Sequence, residues 1–119
     1  MRIISLVPSW TEYLIDLGVA GALVGRTKFC VRPHDLVRNI PHVGGTKSAN
    51  LEAIAKLKPD LIVANREEND QAQVEACMGF SQVLLTDVRS VEDSINACLD
   101  IARAVECEET GLQIIADIR

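Results

Sequence analysis

The sequence predicts an α/β fold, a Rossmann-like three-layer lobe in which a parallel sheet of four to five strands is flanked by helices. Short apolar runs rich in β-branched residues recur along the chain, as at residues 3–7 and 61–64. Such runs are typical of strands buried on both faces. Segments with helical periodicity separate these runs. This alternation predicts a parallel sheet with right-handed crossovers.

The first strand, residues 3–7, leads directly into a helix. Ser9 with Glu12 three residues later fits a capping box at the helix start. Gly18 is expected to end the helix in the left-handed conformation. Apolar side chains recur between these signals at helical spacing and predict one buried face, namely Trp10, Tyr13, Leu14 and Leu17.

Three short elements follow before the middle of the chain. Residues 23–25 predict a second strand, and residues 33–37 are compatible with a single helical turn. Residues 41–44 predict a third extended segment, which leads into the sequence GGTK.

The next helix and strand have clear boundaries. Asn50 is expected to cap a helix over residues 51–57. The sequence Lys58-Pro59-Asp60 breaks that helix, and residues 61–64 form the next buried strand.

The last part of the chain alternates in the same way. A helix is expected over residues 70–78 with Val74, Cys77 and Met78 inward, followed by a strand at residues 83–85. Residues 108–119 are compatible with a final helix. Between these two segments a further apolar stripe predicts another helix, with Val91, Ile95, Cys98, Leu99 and Ala102 on its inner face.

Composition and charge exclude several classes of protein. The 119 residues suit one domain, and no apolar run approaches the roughly 18 residues that a membrane helix needs. Residues 1–60 carry eight Lys/Arg and five Asp/Glu, whereas residues 61–119 carry four and twelve. Without a strong basic stripe, nucleic-acid binding is disfavoured. The basic first half would suit an anionic ligand.

The four cysteines form no CxxC pair, so neither a zinc site nor a disulfide framework is expected. His34 and His42 are too isolated to predict a metal site. GGTK lacks the spaced first glycine of a nucleotide-binding P-loop. The sequence therefore predicts no metal and no cofactor.

Four polar loops leave the predicted strand ends, at residues 8–12, 26–30, 44–47 and 65–69. In a parallel sheet, ligands bind outside the carboxyl ends of the strands. We therefore expect these loops to converge on one edge and to form a binding site there.

Individual residues in these loops allow two interpretations each. The free N–H groups at the start of the first helix could hold an anion, or Ser9 and Glu12 could already satisfy them. Trp10 is either a core residue or a stacking platform for a ligand. Lys28 and Lys47 either contact an anion or are solvated.

Several segments in fixed order resemble a known family. RIISLVPSWTEYLIDLG, VGRTKFC and IPHVGGTKSANLEAIAKLKPDLIVANREEN resemble the amino-terminal lobe of the periplasmic binding proteins for iron–siderophores and cobalamin. In that class, one long helix joins two α/β lobes. The strongest marker is the helix, LKPD and strand over residues 50–64, and TDVRSVEDSINA fits the next strand and helix.

The resemblance implies a receptor without enzymatic activity that delivers cobalamin, a ferric siderophore or another metal chelate to the membrane subunits of an ABC importer. With Lys47 added as a candidate anion contact, the ligand-binding residues expected on this basis are Ser9, Trp10, Thr11, Lys28, Phe29, Cys30, Lys47, Asn65 and Arg66.

Docking on the transporter is expected to use an acidic residue of the lobe. The position that corresponds in this sequence is Gln71, which is not acidic. The neighbouring candidates are Glu67, Glu68 and Asp70, with Glu75 beyond them. The same acidic cluster could also be a solvated loop.

The resemblance implies that residues 1–107 form the ligand-binding lobe and that residues 108–119 begin a truncated connecting helix. A second lobe, or self-association, would then complete the site. It also implies a periplasmic or cell-surface location, whereas a true start at Met1, with no leader in front of the first strand, would favour the cytoplasm.

Two alternatives remain open at this point. One is a cytoplasmic ligand-sensing or interaction module. The other is a small α/β enzyme that acts on a phosphorylated substrate, for which only Glu12, Glu67 or Glu68 could serve as general base.

Overall fold

In the computed structural model, which describes residues 1–118, four strands form one parallel sheet with helices on both faces. The strands are β1 (Ile3–Ser5), β2 (Leu23–Arg26), β3 (Leu61–Asn65) and β4 (Gln82–Thr86). The helices are α1 (Pro8–Asp16), α2 (His34–Val37), α3 (Leu51–Lys56), α4 (Gln71–Met78), α5 (Val91–Ala104) and α6 (Glu108–Ile118), and a short 3₁₀ turn spans Ala20–Ala22.

The strand order is β2-β1-β3-β4, and every pairing is parallel. Ile3 is in register with Leu23 on one side and with Leu61 on the other. The central strand β3 is buried along its whole length. The predicted α/β fold with a parallel sheet is confirmed.

The extended segment at residues 41–44 is not a strand. It makes a single parallel bridge, between Arg26 and His42. Gly44 then adopts a positive φ of 106° and turns the chain away, so the pairing cannot continue. The sheet therefore has four strands within residues 1–118.

Alternate residues of the central strands enter two separate cores, which makes the lobe three-layered. Ile3 and Val63 pack in the core that α1 and α5 cover. Ile4 and Ile62 pack in the core that α3 and α4 cover.

The start of α1 differs from the prediction. The capping box of Ser9 and Glu12 is wrong, because the helix already begins at Pro8 and its N-cap is Val7, without a side-chain cap. Proline at the first helical position fixes a helical φ and has no N–H to satisfy. Gly18 has a φ of 90° after the last turn, which confirms the predicted left-handed end.

The predicted cap of α3 is confirmed, and α4 has a side-chain cap of the same kind. The Asn50 side chain accepts a hydrogen bond from the Ala53 N–H at 3.0 Å, and the Asp70 carboxylate accepts one from Gln73 N–H at 3.1 Å. In α4, Val74 and Cys77 are buried as predicted. Met78, which is predicted to face inward, is 50% exposed because the space between the last turn of α4 and β4 is left open.

The inner face of α5 is also shifted from the prediction. Ala97, Ile101 and Ala102 are its buried residues. Val91 is 79% exposed, since it is the first residue of the helix, directly after the Ser90 cap. Ile95, Cys98 and Leu99 are half-buried.

The predicted final helix is confirmed as α6 over Glu108–Ile118, and Arg119 lies outside the described residues. α6 packs closely against α5 and α1. A Cβ placed on Gly111 would lie 2.5 Å from the Ala102 Cβ and 3.1 Å from the Tyr13 hydroxyl. The role of α6 as a connecting helix stays a prediction.

The Tyr13 hydroxyl is buried between α1, α5 and α6. It is expected to make the free energy of unfolding of the lobe depend on pH in the alkaline range. It donates a hydrogen bond to the Cys98 carbonyl at 2.9 Å. Burial raises the pKa of Tyr13 to about 12, and Cys98 and Cys107 add to the rise.

We expect wild type to lose on the order of 2 kcal/mol relative to Tyr13→Phe as the pH rises from 10 to 12. Below pH 10 the hydroxyl is neutral in both the folded and the unfolded state, so its stabilisation is fully present there. Urea unfolding of both proteins between pH 8 and 12 measures the effect, and the difference between them removes the titration of the lysines, which both proteins share. A constant difference across this range would contradict the prediction.

No helix within residues 1–118 combines the length and the apolar character needed to cross a membrane.

Candidate ligand-binding site

The four strands end at one edge of the sheet, which we call the carboxyl edge. The segments that leave it are residues 6–7, 27–33, 66–70 and 87–90. The GGTK loop lies at the same edge, because the Lys28 N–H donates to the Gly44 carbonyl at 2.8 Å. The expected convergence of the strand-end loops is confirmed.

These loops surround a shallow, open depression of about 550 Å³, which we call the rim depression. Its lining comes from α1, the loop after β2, the GGTK loop and the loop after β3. The residues that bear on its chemistry are Ser9, Glu12, Phe29, Thr46, Lys47 and Glu68. A smaller hollow of about 280 Å³ adjoins it and shares Ser9 and Glu68.

The three candidates at the start of α1 lie in different surroundings. Ser9 is exposed and lines both hollows. Trp10 is buried in the core and lines the smaller hollow, with its indole N–H donating to the Thr86 hydroxyl at 3.0 Å. Thr11 is fully buried and its hydroxyl donates to the Val7 carbonyl at 3.1 Å. The structure does not bring Thr11 to the open surface.

The loop after β2 separates its three candidates in the same way. Phe29 is 54% exposed, and the Lys28 ammonium lies 5.2 Å from the centre of its ring, within cation–π range. Cys30 is buried, with its thiol 3.1 Å from the Thr11 hydroxyl and 3.2 Å from the Thr27 hydroxyl. Phe29 is therefore the apolar surface that this loop presents to the rim depression.

Arg26 holds this loop in place through hydrogen bonds to four backbone carbonyls. Its Nε donates to the carbonyls of Val37 and Ile40, at 2.8 and 2.9 Å. Its terminal nitrogen donates to the carbonyls of Thr27 and Cys30, at 3.2 and 3.3 Å. The sequence places Arg26 at a strand end but gives no signal that it anchors the loop.

The GGTK loop and the loop after β3 are joined across the rim depression, where the Lys47 ammonium donates to the Glu67 carbonyl. Partial burial raises the pKa of the Glu68 carboxyl; the nearby Lys47 opposes this rise and Glu67 adds to it. The rim therefore offers a lysine and two carboxylates in close proximity to any ligand.

Asn65 and Arg66 occupy the end of β3. Asn65 is buried, and its Oδ1 lies 2.9 Å from the Thr86 hydroxyl, which also lies 2.9 Å from the Ala64 carbonyl. Arg66 is exposed, with its Nε 3.7 Å from a carboxylate oxygen of Asp87. Thr86 therefore supports Trp10 and Asn65 by hydrogen bonds at this edge. Its place directly after a predicted strand is a signal in the sequence that could have identified this role.

The acidic candidates for docking lie in two places. Glu67 and Glu68 line the hollows at the carboxyl edge, whereas the Asp70 carboxylate caps α4. Gln71 donates to the Glu75 carboxylate at 3.1 Å on the exposed side of α4. A docking role for these residues stays a prediction.

A separate cavity of about 220 Å³ lies between α4 and β4. It is more enclosed than the rim depression, but one helix and one strand form most of it, and few of the predicted residues reach it. The convergence of loops from several strands favours the rim depression as the binding site.

Across residues 1–118 no three His, Cys, Asp or Glu side chains are arranged to hold a metal ion. His34 and His42 are both exposed and lie apart in the sequence, at α2 and at the bridge to Arg26.

Comparison with known sequences identifies relatives over most of the chain. A family model described as periplasmic binding protein matches residues 3–119. The vitamin B12-binding protein of Pectobacterium carotovorum subsp. carotovorum (strain PC1) is 33% identical over 93 residues, 77% of this chain and 33% of that protein. That of Yersinia pestis (strain Pestoides F) is 36% identical over 74 residues, 62% of this chain and 26% of that protein. The chain thus spans about a third or less of these relatives.

Solved structures share the fold. A periplasmic heme-binding protein from Pseudomonas aeruginosa superposes with a TM-score of 0.91 at 20% identity, over 99% of this chain and 43% of that chain. The periplasmic vitamin B12-binding protein of Vibrio cholerae superposes with a TM-score of 0.86 at 23% identity, over 98% and 46%.

The resemblance drawn from the sequence motifs is confirmed by these matches. Because the family model covers residues 3–119, the chain belongs to the periplasmic binding protein family.

Proposed function

We propose that this chain is the ligand-contacting lobe of the substrate-binding component of an ABC importer. Its ligand would be cobalamin or an iron chelate such as a ferric siderophore or heme. The family consists of substrate-binding proteins and not enzymes, which favours binding without turnover over the enzyme alternative. Periplasmic or cell-surface placement and membrane subunits of an importer as partners belong to the same proposal.

The rim depression is the single observation that carries the proposal. Loops from separate parts of the chain line one open surface. This surface combines an exposed aromatic ring with hydroxyl groups and with side chains of positive and negative charge. Such a surface suits a large ligand with a broad apolar face and a polar periphery. A small substrate that must be surrounded for catalysis would not be enclosed by a depression this shallow.

The choice of ligand class rests on two supports. The curated relatives described above are named as vitamin B12-binding proteins, and Phe29 offers a ring on which a flat ligand face can stack. Lys28 beside Phe29 and Lys47 across the depression add cations that would suit acidic groups at the edge of a ligand.

The proposal can be tested through the single tryptophan. Trp10 lines the smaller hollow, so a bound chromophore that absorbs in the near ultraviolet quenches its emission by energy transfer. We would titrate the chain separately with cyanocobalamin, hemin and ferric staphyloferrin B. Saturable quenching by at least one of them is expected, and absence of saturable quenching with all three would contradict the proposal.

Phe29→Ala is expected to weaken binding about tenfold, because it removes most of the apolar surface of the depression. Phe80→Ala is the matched control, since Phe80 is 44% exposed and lies after α4, outside the depression. Equal affinities of the two variants would place the ligand elsewhere.

A further inference from the structure

Asn69 connects three separate segments of the carboxyl edge from beneath the surface. Its Oδ1 accepts a hydrogen bond from the Asn65 N–H at 2.8 Å. Its Nδ2 donates to the Leu6 carbonyl at 3.0 Å and to the Thr46 carbonyl at 3.1 Å. The segments after β1 and β3 and the GGTK loop therefore meet at one side-chain amide.

The chemistry of these three contacts requires an amide. Asn69 is 4% exposed, and both of its N–H donors face carbonyl oxygens while its own oxygen faces an N–H. A carboxylate of the same shape would set an oxygen against two carbonyls. An apolar side chain would remove the hydrogen-bond partner of two buried backbone groups and of the half-buried Thr46 carbonyl.

The three connected segments carry the chemistry of the rim depression. Thr46 precedes Lys47, and Glu67 and Glu68 lie within the turn that Asn65 and Asn69 close, where the Asn69 N–H also donates to the Asn65 carbonyl at 3.0 Å. Leu6 lies at the entry to α1, which begins two residues later at Pro8 and carries Ser9. Asn69 borders the separate cavity between α4 and β4 but does not line the rim depression.

We propose that Asn69 is a positioning residue that fixes these loops in the arrangement that binds ligand, without touching the ligand itself. This inference rests on the proposed binding function. According to this inference, the hydrogen bonds from one buried amide fix the distances between the loops. They thereby set where Ser9, Lys47 and Glu68 lie relative to one another.

The variant Asn69→Asp tests the inference through the pH dependence of its ligand affinity. At pH 8 the introduced carboxylate repels the Leu6 and Thr46 carbonyls, and we expect hemin or cyanocobalamin to bind about tenfold more weakly than to wild type. Burial beside two carbonyls favours the neutral acid, which regains one donor. Affinity of the variant is therefore expected to recover towards wild type as the pH falls to about 5.

Two controls separate positioning from general loss of stability. Val74→Ala creates a small cavity in α4 behind the same edge and lowers stability without changing the rim bonds. Asn39→Asp introduces the same charge at an exposed position. Neither should show the pH-dependent recovery. If Val74→Ala loses as much affinity as Asn69→Asp at equal stability, or if the variant shows no recovery at low pH, the inference is overturned.

A readout without ligand keeps this test independent of the proposed function. In Asn69→Leu, the amide hydrogens of residues 44–49 and 65–69 are expected to exchange faster than in Val74→Ala of matched stability. If wild type binds none of the probes while this exchange difference is found, the binding proposal fails and Asn69 still organises the loops. Unchanged exchange in these segments would overturn the inference itself.

Discussion

Replacing Arg26 with methionine is expected to lower the free energy of unfolding by about 3 kcal/mol, because hydrogen bonds from a charged donor contribute about 1.5–3 kcal/mol each and are not additive. The guanidinium reaches four carbonyls, those of Thr27, Cys30, Val37 and Ile40. The methionine chain would keep the packing of the stem but leave those carbonyls without this donor. Urea unfolding followed by circular dichroism measures the loss.

Two further variants make the Arg26 prediction specific. Arg26→Lys should restore little, since an ammonium cannot reproduce the planar fork of donors. Arg38→Met is the control, because Arg38 is exposed in the same segment, and it should stay within about 0.5 kcal/mol of wild type. If Arg26→Met and Arg38→Met were equally stable, the bonds to the loop would contribute nothing measurable.

The Arg26→Met variant is also expected to loosen the loop that contributes to the rim depression. The four carbonyls belong to the segment that carries Lys28 and Phe29 to the rim depression. We therefore expect faster proteolytic cleavage between residues 27 and 40 in Arg26→Met under conditions in which the rest of the lobe remains folded.

Gly111→Ala is expected to destabilise the protein by about 2 kcal/mol, since added atoms in a closely packed contact cost about 1–3 kcal/mol. The new methyl group would lie 2.5 Å from the Ala102 Cβ, so α6 would have to move away from α5. Helix propensity alone predicts the opposite sign, because alanine is favoured over glycine in a helix interior by about 1 kcal/mol. Thermal and urea unfolding decide between the two.

Gly21→Ala is the matched control for this prediction. A Cβ at Gly21, in the exposed 3₁₀ turn, has no heavy atom within 4 Å. That variant should remain within about 0.5 kcal/mol of wild type. A gain in stability for Gly111→Ala would show that α5 and α6 do not approach as closely as the structure indicates.

Much of the fold could be predicted because its signals are local. The apolar runs at β1 and β3 identify buried strands without reference to the rest of the chain, and Asn50 caps its helix through a bond that spans three residues. Where two local signals competed, the prediction failed. Ser9 and Glu12 suggested a capping box, but Pro8 set the start of α1 two residues earlier, with Val7 rather than Ser9 at the N-cap.

The site could be predicted only in outline, because local signals identify the loops but not the distant residues that hold them. Polar loops after parallel strands must converge on one edge, whatever their partners. Asn69, Arg26 and Thr86 were missed as organising residues, because their partners lie in other segments of the chain. The distance in sequence between Asn69 and Leu6, for example, is 63 residues.

The sequence by itself determined the order of strands and helices along the chain, the parallel sheet and the edge at which the loops meet. Only the tertiary structure decided which neighbour in each loop faces outward: Ser9 rather than Thr11, and Phe29 rather than Cys30. Thr11 and Cys30 turn inward to contact each other across 19 residues of sequence. Contacts of this kind are fixed by the packing of distant segments, and no local pattern of residues encodes them.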